Sequence, residues 1–242
     1  MTRLWVDAFG FASRVLNAGR DPWAEPAQLG AMLKDLERLL GGDVIVLPFD
    51  SLFDTWLPRA ANPAHNAEAF SRLIAQSAFA SAIATGLASI RAARLSAPIA
   101  LAFPGPTRLL GGGGAMSFDD ADLVFTALCT LVRNCGAESA HAILLEEADA
   151  VALEPADALI NVAAHLGLAP ALRSQVAAAF GAHHFAPRFQ RDTEAGADPW
   201  LGAAWMNGDA PLPSAPDVLV TAPEECAPEL ARARLRAARG RP

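Results

Sequence analysis

Carboxylates and arginines follow short apolar runs in this 242-residue chain. Asp50 closes the run DVIVLPF, with Ser51, Asp54 and Trp56 just after it. Thr107 and Arg108 sit in PGPTRLLGGGG, which follows PIALAF. Glu146, Glu147 and Asp149 follow AHAILL. Further on come Arg173, the pair His183-His184, Arg188, Trp205, Asn207 and Thr221. A carboxylate at a strand end can act as a general base or hold a cationic group, with a pKa set by desolvation and its neighbours. It can equally be a helix N-cap or a loop residue, and both readings of Asp50 stay open. Glu146 and Glu147 are adjacent, so on a strand they point opposite ways and at most one faces inward. Arg108 could clamp a substrate carboxylate through its planar fork. His183 or His184 could enter a site, or be structural.

Other chemistries lack their motifs. Gly111–Gly114 could offer backbone N–H groups to a phosphate or carboxylate, or be a flexible loop or lid. It is not followed by the lysine of GxxxxGK[ST], and no GxGxxG precedes a helix. No HExxH, GxSxG or Cys/His arrangement occurs. The cysteines Cys129, Cys135 and Cys226 form no CxxC, which fits free thiols in a reducing compartment and offers no structural zinc site. No metal and no cofactor are expected.

The elements that must position these residues alternate. Strand-like runs fall at Leu4–Phe11, Asp43–Phe49, Pro98–Phe103 and Ala140–Leu145. Weaker ones fall at Leu168–Leu172, Ala182–Ala186, Gly202–Met206 and Asp217–Thr221. Helical patterns lie between them at Pro26–Leu40, Asn66–Arg94, Phe118–Asn134, Pro155–Leu166 and Glu224–Ala238. Ser117 is the expected N-cap of the third. Eight strands alternating with helices predict a compact α/β (β/α)8 TIM barrel spanning residues 1–242 as one domain. A doubly wound open parallel sheet is the alternative. In a barrel, function sits at the C-terminal strand ends, which is where the residues above fall.

Composition narrows the partners. Net charge is −7, and five arginines (232, 234, 236, 239 and 241) crowd the C-terminus, so the remainder is more acidic still. An acidic body argues against a nucleic-acid groove. The basic tail reads as a helix end complementing its own dipole. The most apolar stretch, Ala75–Leu101, is broken by Arg91, Arg94 and Pro98, so no membrane span is expected. The N-terminus lacks a signal-peptide core, and a cytoplasmic location is expected. There is no tyrosine, which excludes mechanisms needing a tyrosine acid.

Three pieces in order carry a family resemblance. They are NAGRDPW (Asn17–Trp23), the run AQLGAMLKDLERLLGGDVIVLPFDSLFDTWL, and PIALAFPGPTRLL followed by a helix and Gly136-Ala137. Together they cover about residues 15–150 and resemble the uroporphyrinogen decarboxylase superfamily, which includes cobalamin-independent methionine synthase barrels and corrinoid-protein methyltransferases. The resemblance implies a barrel in which Arg20 binds substrate and Asp50 is the catalytic-site aspartate. The expected site takes a small anionic substrate at the mouth, bound by Arg20, Thr107, Arg108 and His183, with Arg20 and Arg108 as anion clamps and Glu146 as a second catalytic carboxylate. Lyase chemistry of the decarboxylase type is the leading expectation, with methyl transfer as an alternative. The sequence departs from the family in having no tyrosine to contact substrate, no recognisable C-terminal histidine segment, and no cysteine between Cys135 and Cys226 for a methyltransferase zinc. A non-catalytic subunit that kept the barrel is therefore the other alternative. A homodimer or a protein partner stays open.

Overall fold

The computed structural model describes residues 2–57, 63–111, 116–136, 140–175, 184–191 and 197–239. Eight strands close into a parallel barrel: β1 (Arg3–Asp7), β2 (Val44–Pro48), β3 (Ile99–Pro104), β4 (Ala142–Glu146), β5 (Ala169–Ser174), β6 (Arg188–Gln190), β7 (Asp198–Leu201) and β8 (Asp217–Thr221). The closure is direct. β1 pairs β8 in parallel from Arg3 opposite Asp217 to Asp7 opposite Thr221, which excludes an open sheet. The protein is a (β/α)8 TIM barrel.

Helices α1 (Phe9–Leu16), α2 (Leu29–Leu40), α3 (Asp50–Trp56), α4 (Pro63–Ile74) and α5 (Ser77–Ala93) accompany the first half. Helices α6 (Pro106–Leu110), α7 (Phe118–Cys135), α8 (Asp157–His165), α9 (Ala203–Asn207) and α10 (Pro228–Ala238) accompany the rest. Among the described residues, no single helix is long and apolar enough to cross a membrane.

Strand alternation divides the apolar residues into two cores. Trp5, Val44, Val46, Ala100, Ala102, Ala142, Leu144, Ala171, Phe189, Trp200 and Leu219 fill the barrel axis. Their neighbours along each strand, such as Val6, Ile45, Leu101, Ile143 and Val218, pack outward against the helices. The alanine-rich composition has a use here. Small residues of β3, β4 and β5 leave room for the large rings Trp5, Phe189 and Trp200, and Trp5 meets Phe189 edge-on with centroids 5.2 Å apart. Outside, α2 and α5 approach so closely that a Cβ at Gly30 would lie 2.0 Å from the Ser89 carbonyl oxygen. Only glycine fits there.

Several elements differ from the sequence reading. Strand β1 stops at Asp7, and the residues from Phe9 turn into α1, burying Phe9, Phe11 and Ala12. The pattern over Asn66–Arg94 is two helices bent by 63°, because Gln76 is extended between them. Phe70 and Phe79, one from each helix, then close on Phe53. The sixth strand lies at Arg188–Gln190 rather than Ala182–Ala186. The seventh is Asp198–Leu201, whereas Gly202–Met206 falls largely in α9. The tail arginines also do more than offset a dipole. Arg234 stacks on Trp205 and donates to the Trp205 and Ala210 carbonyls, and Arg239 pairs with Asp43 at 2.6 Å.

Candidate functional site at the C-terminal mouth

Inward-facing positions at the strand ends place the charged residues. Trp5 faces the axis, so Asp7 does too. Ala142 and Leu144 face the axis, so Glu146 follows them. The same alternation through Ala169 and Ala171 points Arg173 inward. The three meet. Arg173, only 6% exposed, donates to Asp7 Oδ2 at 2.5 Å and to Glu146 Oε2. A buried arginine is tolerable only when paired in this way. Its Nε remains without a partner.

Asp50 begins α3 directly after β2 and stands beside this cluster. Its side chain is 18% exposed, and Arg108 Nη1 approaches Oδ1 at 3.0 Å. That approach is an ion pair without hydrogen-bond alignment, since Oδ1 is buried and accepts no hydrogen bond. Arg108 also reaches Asp54 at 3.5 Å. Burial pushes the Asp50 carboxyl up to about 6, against the pull of Arg108. The negative charges of Glu146 and Asp7 push the same way as burial, while Arg173 opposes them. A carboxyl in that range can exchange a proton near neutral pH.

The neighbouring Glu147 has a different job. Its carboxylate accepts from the backbone N–H groups of Thr107 at 2.9 Å, Ala148 at 2.6 Å and Asp149 at 2.9 Å. It ties the β3 and β4 loops together, and it leaves no room for a side chain at position 105. A Cβ on Gly105 would fall 2.5 Å from Glu147 Oε2. Thr107 thus joins the site through its backbone, while its buried hydroxyl oxygen has no partner. Among the described residues, Asp50 Oδ1, Thr107 Oγ1, Arg173 Nε and Gln190 Oε1 are unmet polar atoms at this end of the barrel. Such atoms are uncommon in a settled interior.

The structure brings Asp50, Glu146, Arg108 and Thr107 to the mouth and leaves Arg20 outside the cluster. The carbonyl of Arg20 accepts from Ser13 Oγ and Asn17 Nδ2, and its side chain, 63% exposed, pairs with Glu25. The segment after it does reach the mouth: Asp21 accepts from Ser51 Oγ at 3.0 Å, and Trp23 Nε1 donates to the Pro48 carbonyl. His183 lies outside the described residues, as do residues 112–114 of the glycine run. His184 is exposed. Asp7 and Trp200 are site residues that sequence reasoning missed. Asp7 would follow from ending β1 correctly, and Trp200 from placing β7 at Asp198–Leu201. Trp200 Nε1 donates to Thr221 Oγ1 at 2.9 Å, and Arg173 lies 5.1 Å from its ring.

Among the described residues, no three His, Cys, Asp or Glu side chains are grouped to hold a metal ion. The three cysteines are buried and free, and burial raises each thiol, that of Cys135 to about 12. They are poor nucleophiles as placed. No protein-family model matches the chain, and no curated protein matches it.

Proposed function

We propose that this barrel is a divergent uroporphyrinogen decarboxylase-like lyase that removes carbon dioxide from a small anionic substrate at the mouth. One observation carries the reading. Asp50, at the position the family resemblance marks as catalytic, has a buried, incompletely satisfied carboxyl raised to about 6. When the C–CO2 bond breaks, its electron pair stays on the substrate carbon. That carbon takes the proton from the Asp50 carboxyl, and water restores it. Arg108 keeps the resulting carboxylate from being too strong a base. Arg173, held between Asp7 and Glu146, fixes those two carboxylates beside Asp50.

The test is turnover of Asp50→Asn on small carboxylic acids and tetrapyrrole carboxylates, following carbon dioxide release. Loss of a general acid lowers kcat by about 10²–10⁴-fold. Unchanged turnover in that variant defeats the reading. A second reading, a barrel that kept the fold and serves as a partner subunit, is favoured by one observation. The cavity lined by Asp50, Asp54, Pro104 and Arg108 has a volume of only about 10 Å³, roughly that of one water. Retention of the chain on an affinity column of its own partner, with no turnover in any substrate class, would favour it.

A further inference from the structure

The charged groups at the mouth leave its cations unequally engaged. Arg173 is bound by two carboxylates and Arg108 faces two more. An anionic substrate gains little from either, because each positive charge is already met. Arg191 differs. Phe189 fills the barrel axis, so alternation carries Arg191 back to the inward side just beyond the end of β6. Pairing of Gln190 with Pro199 sets Arg191 level with Trp200 on β7. The Arg191 guanidinium carbon lies 4.4 Å from the Trp200 ring centre.

That stack holds the side chain without neutralising it. Arg191 itself is exposed, and among the described residues it makes no ion pair. The ring is anchored in turn. Trp200 is 7% exposed, its indole N–H is bound by Thr221 Oγ1, and Arg173 lies at the same ring. A guanidinium stacked on an aromatic ring keeps its N–H fork free in the plane, which is the geometry that accepts a carboxylate or phosphate two bonds at a time.

We infer that Arg191, positioned by Trp200, takes the oxyanion end of the substrate, a carboxylate or phosphate group of a small organic acid. This rests on reading the mouth as a substrate site. It places just beyond β6 the anion-binding role that the family resemblance implied for Arg20. The stack also explains why β7 spends a tryptophan at an inward position already bordered by two arginines.

The test is calorimetric titration of the full chain with succinate and, separately, with inorganic phosphate. Wild type, Arg191→Gln and Arg191→Lys are compared. Wild type should bind at least one anion, and which one is tighter tells a carboxylate site from a phosphate site. Arg191→Gln should bind that anion about tenfold or more weakly, and Arg191→Lys should fall between, keeping charge without the fork. Equal binding by Arg191→Gln, or no binding of either anion by wild type, overturns the inference. Arg191 is exposed, so an unchanged melting temperature should show that both variants fold. Turnover of Asp50→Asn reports on the acid role alone, so either reading can fail without the other.

Discussion

The two ends of the barrel both carry arginine–carboxylate pairs, the arginine exposed at one end and buried at the other, and they are balanced differently. At the N-terminal end Asp217 accepts from Arg3 Nε at 2.7 Å, Arg3 Nη2 at 3.2 Å and Trp5 Nε1 at 2.7 Å. One carboxylate meets a full set of donors there. Nearby Asp198, raised by burial, is steadied by the Arg188 backbone N–H at 3.3 Å. At the C-terminal end, Asp7 and Glu146 share the guanidinium of Arg173, and Asp50 is left with a misaligned Arg108. Carboxylates outnumber the donors aimed at them. A buried ion pair alone therefore says little about function. Excess carboxylate over aligned donors, at the end where barrels place their chemistry, is the informative feature.

Removing the cation of the crowded end should have the largest effect. Arg173→Met leaves Asp7 and Glu146 facing each other across a buried gap and should cost about 3–5 kcal/mol in urea unfolding near pH 7. A cost no larger than that of a surface substitution would show that the two ends are alike. At the saturated end, Asp217→Ala leaves the Trp5 indole N–H unpaired in the core. It should cost about 1–3 kcal/mol without changing turnover, which a parallel activity assay checks.

Removing the Asp50 charge has an effect of the opposite sign. The folded Asp50 carboxyl is raised above its unfolded value, so folding favours its protonated form. Its charge therefore costs stability above about pH 6, and that cost disappears as pH falls toward about 4. Asp50→Asn should be more stable than wild type by about 2–3 kcal/mol near pH 7, and the two should converge near pH 4. A wild type that is the more stable at pH 7 would mean Asp50 is as well satisfied as Asp217.

Parts of this arrangement were legible in the sequence for physical reasons. Strand β8 matched Asp217–Thr221, and β2 to β4 fell close to their runs, because buried parallel strands are continuously apolar. Strands β6 and β7 hid because they are short and carry Arg188, Gln190, Asp198 and Pro199. Missing β7 also hid Trp200 and the arginine stacked on it. Asp50, Arg108 and Glu146 were legible as strand-end residues. The partnership of Asp7 with Arg173 was not, because it joins β1 to β5 across the axis, and no local pattern records such a contact. The glutamates show alternation at work: Glu146 turns to the axis and Glu147 to the loops.

Asp50 stands out as the incompletely satisfied acid of the mouth. Carbon-13 NMR titration of its side-chain carboxyl, assigned by its disappearance in Asp50→Asn, tests this most directly. A pKa of about 6 is expected in the wild-type protein, rising further in Arg108→Gln as the opposing cation is lost. A midpoint at or below the ordinary carboxylate value of about 4, unmoved by Arg108→Gln, would contradict it.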